Sequence, residues 1–394
     1  MHRILRGALP CLLALQAVAQ TPLSYQDIQA KARSTPEQWR AEAQLAERQS
    51  QLQESRAFMR EGPTVSFSAG PRRSPGSPGS TDRGLEVDLP LFLSSRIRKE
   101  LESSLGNAHP LVMEAANREA GLRLRKAYLD AWLASRQLNL REMDLALVET
   151  WLKASQARLE AGADPAFQVA LVEGERLKAF QDLDEARSQA AQTWGALSSL
   201  ADIPPDSTSL ADPGSIPALP GGNLALRLKE GPIRKALMAH AELEERSLHL
   251  QESMAQSRWS LRGSFAKEGE EKVTRIGVAV RLPRPGEQGA AQRRTDTQIR
   301  ALRGETRRAL AELDARALGA ATRLQQAAAT PTVPDFTQAI AAVGLRLQEG
   351  RERPSEALPI RRQLMEAQLT SLKHIHTQHL LMAELQTLLP EVHP

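Results

Sequence analysis

Three histidines, His374, His376 and His379, lie close enough in the chain to raise a metal site, because imidazole nitrogens ligate zinc and similar ions. On a helix each residue turns about 100°, which sets His374 and His376 roughly 200° apart and His374 and His379 roughly 140° apart. They do not readily converge on one ion. Leu372, Ile375 and Leu380 give the same stretch the pattern of an ordinary helix on which the histidines take polar positions. No glycine-rich phosphate loop, nucleophile elbow or zinc-ligand spacing occurs elsewhere, so no catalytic residue, cofactor or metal is expected and the chain does not read as an enzyme. The 51 basic and 47 acidic residues are interspersed, and no aromatics alternate with the basic ones, which argues against nucleic acid as a partner.

With chemistry set aside, the elements themselves carry the argument. The N-terminus MHRILRGALPCLLALQAVAQ has basic His2, Arg3 and Arg6, an apolar run to Leu15, and the small residues Ala17-Val18-Ala19, the three parts of a secretory signal. Residues 1–19 are therefore expected to be removed, with the mature chain beginning at Gln20. Cys11 follows Pro10 inside the apolar run, the wrong place for a lipid-acceptor cysteine. No later stretch offers the roughly 18 apolar residues of a spanning helix, so any membrane span must be made of strands.

Residues 41–55, AEAQLAERQSQLQES, recur as AHAELEERSLHLQES at 239–253, with nine of fifteen positions identical at an offset of 198. After the first copy, Thr64–Ala69 alternates apolar with polar, a turn-rich GPRRSPGSPGSTDRG follows, and Leu85–Leu91 returns, which predicts a β-hairpin over 63–91. After the second copy, Trp259–Phe265, the polar AKEGEEK and Arg275–Leu282 predict another over 258–283. Ile276, Val278, Val280 and Leu282 share one face of the returning strand, and Arg275, Gly277, Ala279 and Arg281 share the other. A barrel wall with lipid outside and water inside has this alternation, as does a half-buried sheet in a soluble domain.

Each hairpin leads into long helices. Leu124, Ala131, Leu138, Leu145, Leu152 and Leu159 fall every seven residues, accompanied by Ala127, Ala134, Val148 and Ser155, a coiled-coil seam. It stops at AGADP, and a second track restarts with Val169, Val172, Ala179, Leu183, Ala186 and Ala190, predicting an antiparallel helical hairpin about 100 Å long. Pro110 is expected to kink its early part. LRLQEG at 345–350 repeats ARLEAG at 157–162, so the second half ends in a similar hairpin. The expected organisation is a first repeat over 20–200 with its tip near 162, a Pro/Gly/Ser-rich linker over 201–223, and a second repeat over 224–394 with its tip near 350. Aromatic content of 4% and the Ala-, Leu-, Gln-, Glu- and Arg-rich helices place the fold in the mainly α class with a small β part.

This ordered repeat, the LPLF at 89–92 entering a long helix, and the paired RLEAG and RLQEG resemble the outer-membrane efflux protein family, the TolC type, over essentially the whole mature chain. The resemblance implies a homotrimer in which each protomer contributes two β-hairpins to a 12-stranded β-barrel, continued by an α-helical barrel of long antiparallel hairpins in the periplasm. It implies a passive exit duct in the outer-membrane lipid of a Gram-negative type cell, docked to a periplasmic adaptor and an inner-membrane pump of a tripartite efflux or type I secretion system. Elementary physics independently requires assembly, since four strands cannot close a barrel and open edges in lipid leave backbone groups unpaired. Strand count alone would also allow two protomers; three rests on the resemblance.

By the same resemblance the tips contact the adaptor, through Gly162 and Gly350 and the flanking Arg158 and Arg346, each four residues before its glycine. Carboxylates after the second tip would constrict the periplasmic opening. Glu356, six residues past Gly350, matches one such position, but the next falls on Pro359 and is followed by Arg361 and Arg362, which implies a mixed or basic constriction. These three side chains could equally form solvent-facing pairs on the hairpin. Pro331 and Pro334 depart from the family pattern and predict a break in the helix that descends to the second tip. The alternative function is a periplasmic coiled-coil scaffold without channel activity, which leaves the alternating strands unexplained.

Overall fold

The computed structural model describes residues 22–56, 64–72, 80–91, 95–203, 210–216, 224–255, 259–268, 271–280, 286–329, 334–349 and 351–390. In chain order these form α1 (Tyr25–Gln29), α2 (Pro36–Arg56), β1 (Thr64–Arg72), β2 (Ser80–Leu91), α3 (Ser95–Glu160), α4 (Ala166–Leu200), α5 (Leu224–Lys229), α6 (Pro232–Ala255), β3 (Trp259–Glu268), β4 (Glu271–Val280), α7 (Glu287–Ala329), α8 (Thr337–Gln348) and α9 (Pro354–Leu388). The expected signal peptide, Gln20, Arg281, Leu282, Pro331 and Gly350 lie outside the described residues. The fold is mainly α with a small antiparallel sheet, as the sequence predicts. Helix α3 runs through Pro110 without ending, and its 66 residues correspond to about 100 Å. Helix α7 ends at Ala329 and α8 begins at Thr337, with Pro334–Phe336 outside any helix, so the described chain leaves the helix at Pro334 before the second tip.

The chain forms two compact units, and each draws on both sequence repeats. The first comprises residues up to Ala32, Ala127–Gly214 and Ala339–Gln363; the second comprises Arg33–Lys126, Ser215–Gln338 and Leu364–Pro394.

In the second unit the duplicated helices α2 and α6 meet, which gives the repeat its structural meaning. Leu45 and Leu52 share one core cluster with Leu243 and Leu250, their equivalents 198 residues on, together with Leu101, Ala108 and Val112 of α3. Alongside the cluster, Arg48 forks onto Glu244 with both nitrogens at 2.7 Å, and Ser247 donates to Gln51 at 2.8 Å. The apolar stripe sets the pairing, and this fork adds direction to it. A second cluster joins Leu313, Ala317 and Leu324 of α7 to Leu381 and Leu385 of α9 and to Ile233 of α6. The same unit holds a single sheet in the order β1-β2-β3-β4, antiparallel throughout. The two expected hairpins are thus joined edge to edge by β2 and β3, a pairing that no local pattern announced.

In the first unit, Val148 and Trp151 of α3, Val172 and Ala179 of α4, Leu347 of α8, and Ala357 and Leu358 of α9 form one core. Gly344 lets α8 approach α3, since a Cβ there would collide with the Leu147 side chain. Residues 210–212 of the expected linker are anchored in this unit. Tyr128 donates to the Ala211 carbonyl at 2.6 Å, Trp132 Nε1 and Arg136 donate to Asp212 at 2.9 and 2.7 Å, and Leu210 bridges Leu23.

Candidate functional site

The register of the sheet sorts its side chains into two sets. Val65 faces Val87, then Gly263, then Ile276; Phe67 faces Leu85, then Phe265, then Thr274; Leu89 faces Leu261, then Val278; Trp259 faces Val280. Directly opposite residues share a face, so one apolar face runs across all four strands. It is not covered within the chain: Ile276 is 80% exposed, Phe67 71% and Val278 62%. Burial of each such side chain stabilises by about 1.5–3 kcal/mol, so this face matches a non-aqueous surrounding far better than water. The alternate set carries Ser66, Glu86, Ser264 and Arg275 in one row and Thr64, Asp88, Arg262 and Gly277 in the next. Arg262 lies 2.7 Å from Glu86 and donates to Asp88 at 3.3 Å, a charged strip suited to water. Among the described residues β1 and β4 each have a strand on one side only, which leaves two edges for other copies to pair with.

At the first helical tip α3 ends in a Schellman turn. The Ala163 N–H bonds the Arg158 carbonyl at 2.8 Å, the Gly162 N–H bonds the Leu159 carbonyl at 2.9 Å, and Gly162 has φ +71°. The second tip repeats the longer bond, Arg351 N–H to the Arg346 carbonyl at 2.9 Å. Both arginines expected at the tips also close their own turns with an acid six residues on. Arg158 lies 2.9 Å from Asp164, and Arg346 donates to Glu352 at 3.2 Å. The two tips are tied to each other, since Gln168 Nε2 donates to Ser355 Oγ at 3.3 Å and Ser355 N–H donates to Gln168 Oε1 at 3.2 Å, while Arg158 reaches the Glu352 carbonyl at 3.5 Å. Arg346 keeps an exposed side chain, and Arg158 is more enclosed.

The three charges expected near a constriction separate. Glu356 lies exposed in the first turn of α9. Arg361 is buried, 5% exposed at its side chain, and forks onto Asp144 of α3 with both bonds at 2.7 Å while donating to Glu175 of α4 at 3.0 Å. Its guanidinium carbon stands 6.0 Å from the centre of the Trp151 ring. Arg362 shares Glu175 from the exposed side. A side chain enclosed on three helices cannot also line an opening, so Arg361 departs from the role expected for it, and only Glu356 and Arg362 remain as candidate lining charges. Sequence reasoning missed Asp144 and Glu175. The available signal was a carboxylate on each apolar seam, four residues from Val148 and three from Val172, where a charge needs a partner. Of the three histidines, His379 is buried and His374 contacts Gln378; no metal-holding group of three His, Cys, Asp or Glu forms among the described residues.

Residues 28–201 match the family model of the outer membrane efflux protein. No curated protein matches the chain. Among solved structures, the chain is similar to the open state of the MtrE outer membrane channel of Neisseria gonorrhoeae, at TM-score 0.69 and 17% identity over 92% of this chain and 88% of that one. It is also similar to a membrane protein of Pseudomonas aeruginosa, at TM-score 0.67 and 20% identity over 93% and 91%. The outer membrane protein VceC of Vibrio cholerae gives TM-score 0.66 and 15% identity over 90% and 93%. At these identities the likeness establishes the fold, and it extends over the stretch after residue 201 that the family model leaves unmatched.

Proposed function

With an outer membrane efflux protein domain over residues 28–201 and the fold of outer-membrane efflux channels along its length, we propose that this chain is the passive outer-membrane duct of an efflux system. The observation that carries the proposal is the four-strand sheet with one continuous exposed apolar face and one charged face. Such a sheet is a segment of wall. Closing it in lipid requires further copies at the β1 and β4 edges, and three protomers give the twelve strands of the assembly proposed here. The long helices carry the duct into the periplasm, where the tips meet an adaptor that couples it to an inner-membrane pump. In this reading Arg158, Gly162, Arg346 and Gly350 shape the docking surface. Asp164 and Glu352 hold the two arginines in place, Glu356 and Arg362 supply mixed charge near the opening, and Arg361 braces the helices behind them. Transport needs no chemical step by the protein itself; it needs a closed wall, a wet interior and a docked partner.

Crosslinking in membranes and intact mass test the assembly together: a trimer in the outer-membrane fraction with its mature N-terminus at Gln20 is expected. Recovery as a soluble periplasmic monomer would contradict the duct and favour the scaffold. Adaptor crosslinking through cysteines placed at Arg346 and Glu356, with cellular efflux measured in parallel, tests the docking surface.

A further inference from the structure

Beyond the apolar band the sheet carries a feature that a duct does not require. Arg83 stands directly opposite Lys267, and Lys267 directly opposite Lys272, in one row across β2, β3 and β4. The row lies two residues beyond the Leu85, Phe265 and Thr274 row on each strand, so alternation puts the three cations on the apolar face. All three residues are exposed, and none takes part in an ion pair with a described carboxylate. Like charges directly opposite, with Cβ atoms about 5 Å apart, destabilise a sheet. An anion seated among them relieves that repulsion. Trp259 to Phe265 spans six residues, about 20 Å along the strand, and Lys267 lies about 27 Å from Trp259. Strands in an outer-membrane wall tilt by about 35–45°, so 27 Å along the strand is about 20 Å of height against an apolar band about 25 Å tall, and the cations close the apolar rows at the turn end of the hairpins, toward the head groups.

We propose that Arg83, Lys267 and Lys272 form a binding row for the phosphate groups of a lipid head group, with its acyl chains lying on Phe67, Leu85 and Phe265. The inference rests on the proposed lipid-facing wall. A phosphate accepts charge-assisted hydrogen bonds from two neighbouring cations, and a head group bearing two phosphates can span the row of three. A soluble anion would use the charges alone. A lipid uses the charges and the apolar rows directly beneath them, which is why the lipid is the occupant favoured here.

The test compares the wild-type chain with a triple variant, Arg83→Gln, Lys267→Gln and Lys272→Gln, each reconstituted into phosphatidylcholine vesicles doped with bis-phosphorylated lipid A or its phosphate-free counterpart. Lipid retained by the protein is counted by native mass spectrometry. Wild type should retain the phosphorylated lipid on the order of a hundredfold more strongly than the triple variant, the loss expected for three cations near a membrane surface. The charge-preserving variant Arg83→Lys, Lys267→Arg and Lys272→Arg should behave as wild type. Equal retention by the triple variant, equal retention of phosphate-free lipid, or complete displacement by millimolar inorganic phosphate would each overturn the proposal while leaving the wall intact. Failure of the wild-type chain to enter vesicles would instead remove the wall itself, and this inference with it.

Discussion

The helical tip region and the sheet bury opposite things. Around Arg361 the chain encloses two carboxylates and a guanidinium among Val148, Trp151 and Val172, and leaves polar side chains outside. On the sheet it leaves Phe67, Ile276 and Val278 outside and gathers Glu86, Asp88 and Arg262 on the other face. The first arrangement is ordinary for a protein in water, where an interior charge must be paired. The second is ordinary only where one face meets a medium more apolar than water. Two solvents are thus written into one chain, and the change in pattern from the helical seams to the alternating strands marks where each applies.

Substitutions can break this contrast, and the largest effect is expected at its buried charge. Arg361→Leu leaves Asp144 enclosed without its partner and Glu175 with Arg362 alone, and should destabilise the helical unit by about 3–5 kcal/mol in chemical denaturation. Adding Asp144→Leu and Glu175→Gln should restore most of that loss; a persistent loss would mean that packing, not charge, holds the cluster. On the sheet the polarity reverses: Val278→Arg should lower stability in lipid by about 2–4 kcal/mol, while Ala279→Arg next to it should fold and insert nearly as wild type. Similar losses at both positions would erase the distinction between faces.

At the first tip Gly162→Val forces a β-branched residue into positive φ with open space around it, a strain of about 1–2 kcal/mol confined to the turn. Adaptor crosslinking should fall while trimer yield in the membrane stays unchanged; a loss of trimer would mean the tip is coupled to the sheet. The smallest effect concerns Glu119 of α3, whose carboxyl is held above the usual range by partial burial and by repulsion from Glu37, with Arg316 opposing both. A carboxyl with a raised folded pKa stabilises most when protonated, so its contribution is present below its unfolded value of 4.5 and is lost as pH rises through the folded value. Because the partly buried side chain keeps contact with solvent that screens the effect, Glu119→Gln should stabilise at neutral pH by less than about 1 kcal/mol and leave stability at pH 4 unchanged in thermal melts.

Periodicity made the helices, the two hairpins and the tip at Gly162 legible, because each is a local pattern of apolar spacing and turn residues. The interruption before the second tip was also local, since a proline removes a helix N–H and favours a break, although Pro110 and Pro359 are carried within helices. Features that depend on distant pairing were not legible. The β2–β3 join unites residues 168 to 184 positions apart, and nothing in Leu89 names Leu261 as its neighbour. Arg361 looked like one more helix surface charge, because its partners Asp144 and Glu175 lie 217 and 186 residues away. The linker carried loop composition, yet Asp212 is fixed by Trp132 and Arg136, a contact invisible until the chain is folded.

The only cysteine in the chain is Cys11, so single cysteines placed along β4 report without background. Cysteines at Ile276, Gly277, Val278 and Ala279, one per variant, can be challenged in native membranes with a water-soluble and a lipid-dissolved thiol reagent; Gly277 has open space for the added side chain. The two-solvent account predicts strict alternation, with positions 276 and 278 taking the lipid-dissolved reagent and positions 277 and 279 taking the water-soluble one. Uniform labelling of all four positions by the water-soluble reagent would contradict it.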